Sequence, residues 1–386
     1  MRIAFVLSRF GREILGGAES LARSLAAEAV VRGWQVEVWT TCATEYATWG
    51  NVLPPGRHME DGLPVLRFAV DPWDPTKQQL LNKELLRRVM LPLSQQYGWL
   101  ESGPQSTPLY EHVAAHYSEW DALIVMPYLH SITYHAAWLA RESVIMWPCL
   151  HDEVLAYMEP FQVLLESVWG VVFLSPEEAA LARDQLGMNI HRSAILGGGV
   201  KLSDRAPISP KTDSPFLLYV GRLEEGKNVP ILYSYVARYA EEVGDLRLVV
   251  AGDGPRRPPD HPAFDFRGPI SEEEKRRLNA SALALCQPSG NESFSLVIME
   301  SWLASRPVLV WSNCAVTSGH VERSKGGLWF ASYGEFKEAV DWLKHNPSAA
   351  GQMGRNGREY VEQNYGWDRV FLRFSDTLKR WKAETN

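Results

Sequence analysis

Residues 282–310 read ALALCQPSGNESFSLVIMESWLASRPVLV. An apolar run stops at Pro288, Ser289 and Gly290, which predicts a buried strand running into a turn. LVIMESWLA then has helical spacing, and PVLV is a second short apolar run. Glu292 therefore falls in the loop and Glu300 in the second turn of the helix. At about 1.5 Å rise per helical residue the two carboxylates are on the order of 10 Å apart, with the amides of Ser295 and Leu296 at the helix N-terminus between them. That separation suits a nucleoside diphosphate-sugar. The plainer alternative is stability alone, because acids near a helix N-terminus complement its dipole.

Outward from this stretch the pattern repeats. FLLYVGRL (216–223), LRLVVAGDGP (246–255), LALCQPSG (283–290) and PVLVWSN (307–313) each stop at Gly, Pro or Asn. An earlier series, IAFVL (3–7), VEVWT (36–40), ALIVM (122–126), VIMWP (144–148) and VVFL (171–174), alternates with helical stretches such as AESLARSLAAEAVVRG (18–33). Continuous apolar strands with helices between them predict parallel sheets covered on both faces, an α/β fold of two doubly wound Rossmann-like domains. The Gly-, Pro- and Ser-rich stretch ILGGGVKLSDRAPISPKTDSPF (195–216) reads as a hinge between them. The expected division is residues 1–197, 198–365, and an amphipathic tail, 366–386, able to end either domain. In such folds ligands bind at the carboxyl ends of the strands, so the ligand is expected between the domains.

A chain of 386 residues has the length of two domains, and 46 % apolar with 22 % charged residues is ordinary for a globular enzyme. The net charge of −7 and the lack of a basic face argue against nucleic acid as a partner. Cys42, Cys149, Cys286 and Cys314 are far apart with no C-x-x-C pair, which fits a reducing, cytoplasmic setting. The opening MRIAFVLSRFGRE has too short an apolar run for a signal peptide, and no stretch approaches the roughly 20 apolar residues of a membrane span. Residues 76–100, TKQQLLNKELLRRVMLPLSQQYGWL, are helical in pattern. They are either a weak contact with the inner membrane face or an ordinary surface helix with a solvated charged side.

Three further features carry chemistry. In SRFGREILGGAES, Gly16 and Gly17 precede a helix, where glycine lets the backbone approach a phosphate and the helix N-terminus favours negative charge; no G-x-G-x-x-G fingerprint is present. In YVGRLEEGKN, Arg222 and Lys227 lie just past a strand. A departing diphosphate needs its charge neutralised by a metal or by fixed cations; with no D-x-D pair in the chain, these two are the substitute. Their alternative is a solvated turn paired with Glu224 and Glu225. In WPCLHDEVLAYMEP, His151 and Asp152 stand at a strand end; an isolated histidine is more often a structural hydrogen-bonder, and a loop position at a strand end raises the odds of a functional role.

The set resembles the retaining glycosyltransferases of glycosyltransferase family 4, of the E-x7-E type. LGGAES, the His151 loop, GRLEEGKN, VVAGDGP and FRGPISEEEKRRLNASALALCQPSGNESFSLVIMESWLASRPVLV carry the likeness over nearly the whole chain. It departs from the common family pattern at Ser293 and Ser295 (E-G-F-G-L), at Asn228 (Lys-Gly) and at Arg306 (Gly before Pro-Val); Ser295 is still expected to cap the helix. The resemblance implies a GT-B fold, with two Rossmann-like domains facing each other across a cleft. It implies that Glu292 binds hydroxyls of the transferred sugar and Glu300 the ribose hydroxyls of the nucleotide. Arg222 and Lys227 would hold the diphosphate, aided by the backbone at Gly17, Ser295 and Leu296, with Gly16, Ser293 and Phe294 completing the donor site and His151 lying against the sugar. It further implies transfer of a hexose-type sugar to a glycan, lipid-linked or small-molecule hydroxyl, as in polysaccharide biosynthesis, with no cofactor or metal beyond the donor. The rivals are a non-catalytic nucleotide-sugar-binding subunit and a nicotinamide-dependent oxidoreductase, the latter lacking its glycine fingerprint. Trp49, Trp73 and Trp99 are open to sugar stacking or to core packing.

Overall fold

The computed structural model describes residues 1–386 except 15, 88, 89, 203–214 and 386. The chain divides into two compact units, Met1–Gly199 with Phe371–Asn386, and Val200–Val370. Gly197 to Gly199 lie at the first crossing, and most of the expected hinge lies outside the described residues.

Unit 1 holds eight strands: β1 Arg2–Val6, β2 Gln35–Thr41, β3 Gly56–Glu60, β4 Leu63–Phe68, β5 Ala122–Val125, β6 Val144–Met146, β7 Gly170–Phe173 and β8 Ser193–Ile195. Their order is β3-β4-β2-β1-β5-β6-β7-β8, parallel except for the antiparallel β3–β4 pair at one edge. The central strands β1, β5, β6 and β7 are buried throughout apart from Arg2 at the start of β1, as the continuous apolar runs require. The β3–β4 hairpin and β8 carry no such run: β3 and β8 have no buried residue and β4 alternates buried with half-buried positions, which is why they do not stand out in the sequence. The last helix, Trp367–Thr385, enters unit 1 at Phe371. There Phe371 and Phe374 pack on Trp34, and Trp381 on Trp169. A side chain at Gly170 would meet the Trp381 ring at 2.3 Å, so only glycine lets that strand end close under the indole.

Residues 76–100 do not form one helix. They make two, Thr76–Leu86 and Leu93–Glu101, because Pro92 cannot continue a helix and instead starts the second. Leu80, Leu86, Met90, Leu93 and Tyr97 are exposed on this segment. Trp49 and Trp99 are buried in the unit 1 core, and Trp73 packs against it with its indole N–H on the Ser102 carbonyl, so all three are packing residues.

Unit 2 holds β9 Phe216–Val220, β10 Arg247–Ala251, β11 Phe264–Gly268, β12 Ala284–Gln287, β13 Val308–Trp311 and β14 Gly327–Phe330. All are parallel, in the order β11-β10-β9-β12-β13-β14. Successive strands run one way from β9 and the other way from β12, so the topological switch point lies between these two. In an open α/β sheet that is where a crevice forms for a ligand.

Candidate active site

The expected residues of unit 2 come together at this switch point. The loop after β9 carries Arg222 and Lys227, and the loop after β12 carries Glu292. Lys227 Nζ lies 2.7 Å from Glu292 Oε1, with 17 % and 11 % of the two side chains exposed. Gln287 Nε2 donates to the same carboxylate oxygen at 3.3 Å. The β9 loop is pinned from below by backbone bonds, Gly221 N to the Ala251 carbonyl and Leu223 N to the Asp253 carbonyl. Glycine is needed beside it: a Cβ on Gly252 or Gly254, both at positive φ, would sit 1.9 Å or 2.5 Å from the carbonyl oxygens of Gly221 or Leu223. This accounts for the two glycines of VVAGDGP.

Asn228, where the resemblance has glycine, keeps the left-handed backbone (φ 52°) and uses its side chain to donate to the Pro288 carbonyl at 3.0 Å. Asparagine tolerates that conformation, and the bond ties the two loops together. Arg222 is more open: its side chain is 61 % exposed and its guanidinium is 3.1 Å from Glu224. The solvated-turn alternative thus describes Arg222 at rest, whereas Lys227 takes Glu292 instead of Glu224 or Glu225.

Ser295 departs from expectation. It occupies the N-cap position of the helix Leu296–Leu303 but makes no side-chain cap bond, because at φ 71° its backbone is left-handed and the side chain is turned away from the first-turn amides. The Ser295 hydroxyl is buried without a partner, and so is Oε2 of Glu300. Two solvent-shielded polar atoms on one short helix, a donor at its N-terminus and an acceptor in its second turn, fit a polar ligand. Ser293 and Phe294 are buried in the loop, where Phe294 packs edge-on against His320 and Tyr365. Glu300 Oε1 is held by Lys275 at 2.8 Å. Lys275 did not stand out in the sequence because it sits in a run of charges, EEEKRR, that reads as a solvated helix.

In unit 1 the helix Gly17–Val31 starts at Gly17 itself, with Gly16 at the N-cap position. A Cβ on Gly16 would strike Glu19 Oε2 at 2.0 Å, whereas the space beside Gly17 is open, as an approaching phosphate requires. Glu19 is neutralised by Arg9 at 2.5 Å and accepts a hydrogen bond from the Tyr46 hydroxyl at 2.6 Å.

His151 is half-buried, its Nδ1 3.9 Å from Glu153, whose carboxylate accepts from the Tyr128 hydroxyl at 3.0 Å. Its loop is anchored by a residue that the sequence did not reveal. Glu178 is fully buried and accepts from Leu150 N at 2.6 Å and Leu174 N at 2.5 Å. The available signal was the capping-box spacing Ser175-x-x-Glu178, in which Ser175 Oγ does accept from Glu178 N. Burial pushes the Glu178 carboxyl up to about 8 against the pull of its backbone donors. Its folded pKa is above the unfolded value, so the folded state holds an extra proton between about pH 4.5 and 8 and stability falls as pH rises through that window. Urea unfolding of Glu178→Gln at pH 5 and pH 8 should show a smaller fall than wild type; an equal fall would locate the titration elsewhere.

Among the described residues no cluster of three or more His, Cys, Asp or Glu is placed to hold a metal, and no helix is long and apolar enough to cross a membrane.

Two doubly wound sheets, with the strand order and crevice described, define an α/β protein of the GT-B type. The fold is similar to that of sucrose-phosphate synthase from Thermosynechococcus elongatus (TM-score 0.73, 20 % identity, 99 % of each chain). It is also similar to that of Anabaena HepE, solved in complex with UDP-glucose (TM-score 0.72, 16 % identity, 98 % of this chain and 100 % of that one). Residues 200–360, nearly all of unit 2, match the model of the family described as glycosyl transferases group 1. A D-inositol 3-phosphate glycosyltransferase of Kribbella flavida is 26 % identical over 211 residues; the match covers 50 % of this chain and 49 % of that protein, about half the length of each.

Proposed function

We propose that this protein is a glycosyltransferase that moves a hexose-type sugar from a nucleoside diphosphate-sugar to a hydroxyl of a glycan, a lipid-linked acceptor or a small molecule, with retention of configuration. The observation that carries this reading is the Lys227–Glu292 pair at the β9–β12 switch point, with Glu292 on the loop that leads through the unpartnered Ser295 hydroxyl into the helix bearing the unpartnered Glu300 Oε2. The group 1 match over unit 2 supports it, as does the UDP-glucose bound by HepE.

In this proposal Lys227 and Arg222 neutralise the leaving diphosphate, assisted by the amides of Ser295 and Leu296. Glu292 accepts from hydroxyls of the sugar and Glu300 from the ribose. The Gly16–Gly17 loop and His151 are assigned to the phosphates and the sugar of the same donor. As the bond to the diphosphate loosens, positive charge develops at the sugar carbon, and a leaving phosphate oxygen takes the proton of the attacking hydroxyl on the same face. Such a route asks for positioning and charge stabilisation more than for a nucleophile. Glu292, tied to Lys227, is therefore a sugar-binding group and not the covalent nucleophile of a retaining glycosidase.

The test is incubation of the full chain with UDP-, ADP- and GDP-hexoses and a panel of acceptors, with NMR of the product's anomeric centre. Failure to bind any of the three nucleoside diphosphates overturns the proposal, and donor binding without transfer or hydrolysis would leave a non-catalytic subunit. With lysine and arginine supplying the positive charge, transfer should persist in excess EDTA. Full dependence on added Mg²⁺ or Mn²⁺ would remove the metal-free part of the proposal.

A further inference from the structure

The helix Glu272–Ser281 is a polar surface helix on which Glu272, Glu273, Arg276 and Arg277 are exposed. Lys275 is turned inward, its side chain only 15 % exposed, and Nζ lies 2.8 Å from Glu300 Oε1 and 2.9 Å from Glu272 Oε1. An ammonium is withdrawn from water at a cost that only close carboxylates offset. Here it is spent on one oxygen of Glu300 while the other, Oε2, is shielded from solvent and has no partner.

We propose that Lys275 is a positioning residue for the nucleotide: its ammonium clamps Oε1 of Glu300 and leaves Oε2 as the acceptor for a ribose hydroxyl. This rests on the donor assignment above, in which Glu300 takes the ribose. Two consequences follow from the geometry. The clamp fixes the carboxylate of a residue whose end torsion is otherwise broad. It also holds the group in the form that accepts: burial pushes the Glu300 carboxyl up, Lys275 pulls it back, and Glu272 adds a smaller push upward. Lys275 stays charged, since burial lowers its pKa but the two carboxylates more than reverse this. From the other helix packed on Leu296–Leu303, namely Pro347–Asn364, Arg358 is engaged with the Leu303 carbonyl and Glu362; β12 presents Gln287 and the buried, protonated thiol of Cys286. The charges acting on Glu300 are therefore those of Lys275 and Glu272.

The test is calorimetric titration of the full chain with UDP, ADP and GDP, followed, for the tightest of these, by its 2′,3′-dideoxy analogue, at pH 8 and pH 5.5. Lys275→Leu should weaken binding of the ribose form about 10-fold at pH 8, because the carboxylate is no longer held in place for a charge-assisted hydrogen bond of about 1.5–3 kcal/mol. The loss should grow toward pH 5.5, because without the ammonium Glu300 takes up a proton at higher pH. Lys275→Arg should stay within about 3-fold, since it keeps the charge. The dideoxy analogue should bind wild type and Lys275→Leu alike, and in a Glu300→Ala background Lys275→Leu should have no further effect. Should Lys275→Leu not fold, Lys275→Gln, which keeps a donor without the charge, is expected to show the same pH-dependent loss. Equal losses for ribose and dideoxyribose forms, or no loss in Lys275→Leu while the wild type binds the diphosphate, overturn the inference and leave the donor assignment standing. A wild type that binds none of the three diphosphates overturns both.

Discussion

Lys227→Ala is expected to lower turnover by about 10²-fold or more, the size of effect seen when one charge-stabilising group is removed from a site where charge develops. In the ligand-free site Lys227 is already paired, with Glu292 at 2.7 Å. Donor binding must therefore divide the ammonium between Glu292 and the diphosphate, and its share in the diphosphate grows as the sugar–phosphate bond breaks. That difference between ground and transition state is what makes the loss appear in turnover more than in donor affinity. Arg222 cannot replace it, being 61 % exposed and held by Glu224. Because Lys227→Ala also leaves the Glu292 charge unpaired in a shielded place, stability should fall as well. The two effects separate in Lys227→Ala/Glu292→Gln, which should recover thermal stability without recovering turnover. Initial rates at saturating donor give the answer, and turnover within about 3-fold of wild type would remove Lys227 from the charge-stabilising role.

The second large effect divides the two glutamates. Glu300→Ala should weaken binding of the free nucleoside diphosphate by about 10²-fold, because it deletes acceptors of charge-assisted hydrogen bonds, each worth about 1.5–3 kcal/mol. Glu292→Ala should leave that affinity intact or slightly tighter, since its assigned partner is on the sugar and its loss releases Lys227 for the diphosphate. The same substitution should nevertheless depress transfer strongly. Calorimetry with the diphosphate product, alongside transfer rates, distinguishes the two residues. Equal loss of diphosphate affinity in both variants would refute the division.

Much of the fold was legible because its signals are local. The runs IAFVL, VEVWT, ALIVM, VIMWP and VVFL match β1, β2, β5, β6 and β7 to within a residue or two, since a strand buried on both faces has to be apolar throughout. The β3–β4 hairpin, β8, β11 and β14 were not legible, being short, half-exposed or next to polar turns. The Glu292 loop and the Glu300 helix were readable from Pro288 to Leu303, because turn residues and helical spacing act within a few positions. The helical pattern over 76–100 misled, since periodicity ran through a proline that the backbone could not.

By itself the sequence determined that the chain is α/β, that it has two sheets, and which loops at strand ends carry Gly17, His151, Arg222, Lys227, Glu292 and Glu300. Only the tertiary structure decided what those residues touch. Lys227 meets Glu292 across 65 positions because crossovers place β9 beside β12; Glu178 reaches Leu150 because β6 lies beside β7; and Lys275 turns inward onto Glu300 because its helix packs on the one after β12. Ser295 lost its cap because the loop imposes a left-handed backbone there, leaving its hydroxyl without a partner. Apolar periodicity and turn residues report the free energy of short segments. An ion pair or an unpartnered oxygen depends on strand order and loop path, which are set by the burial of the whole sheet and leave no mark on the neighbouring residues.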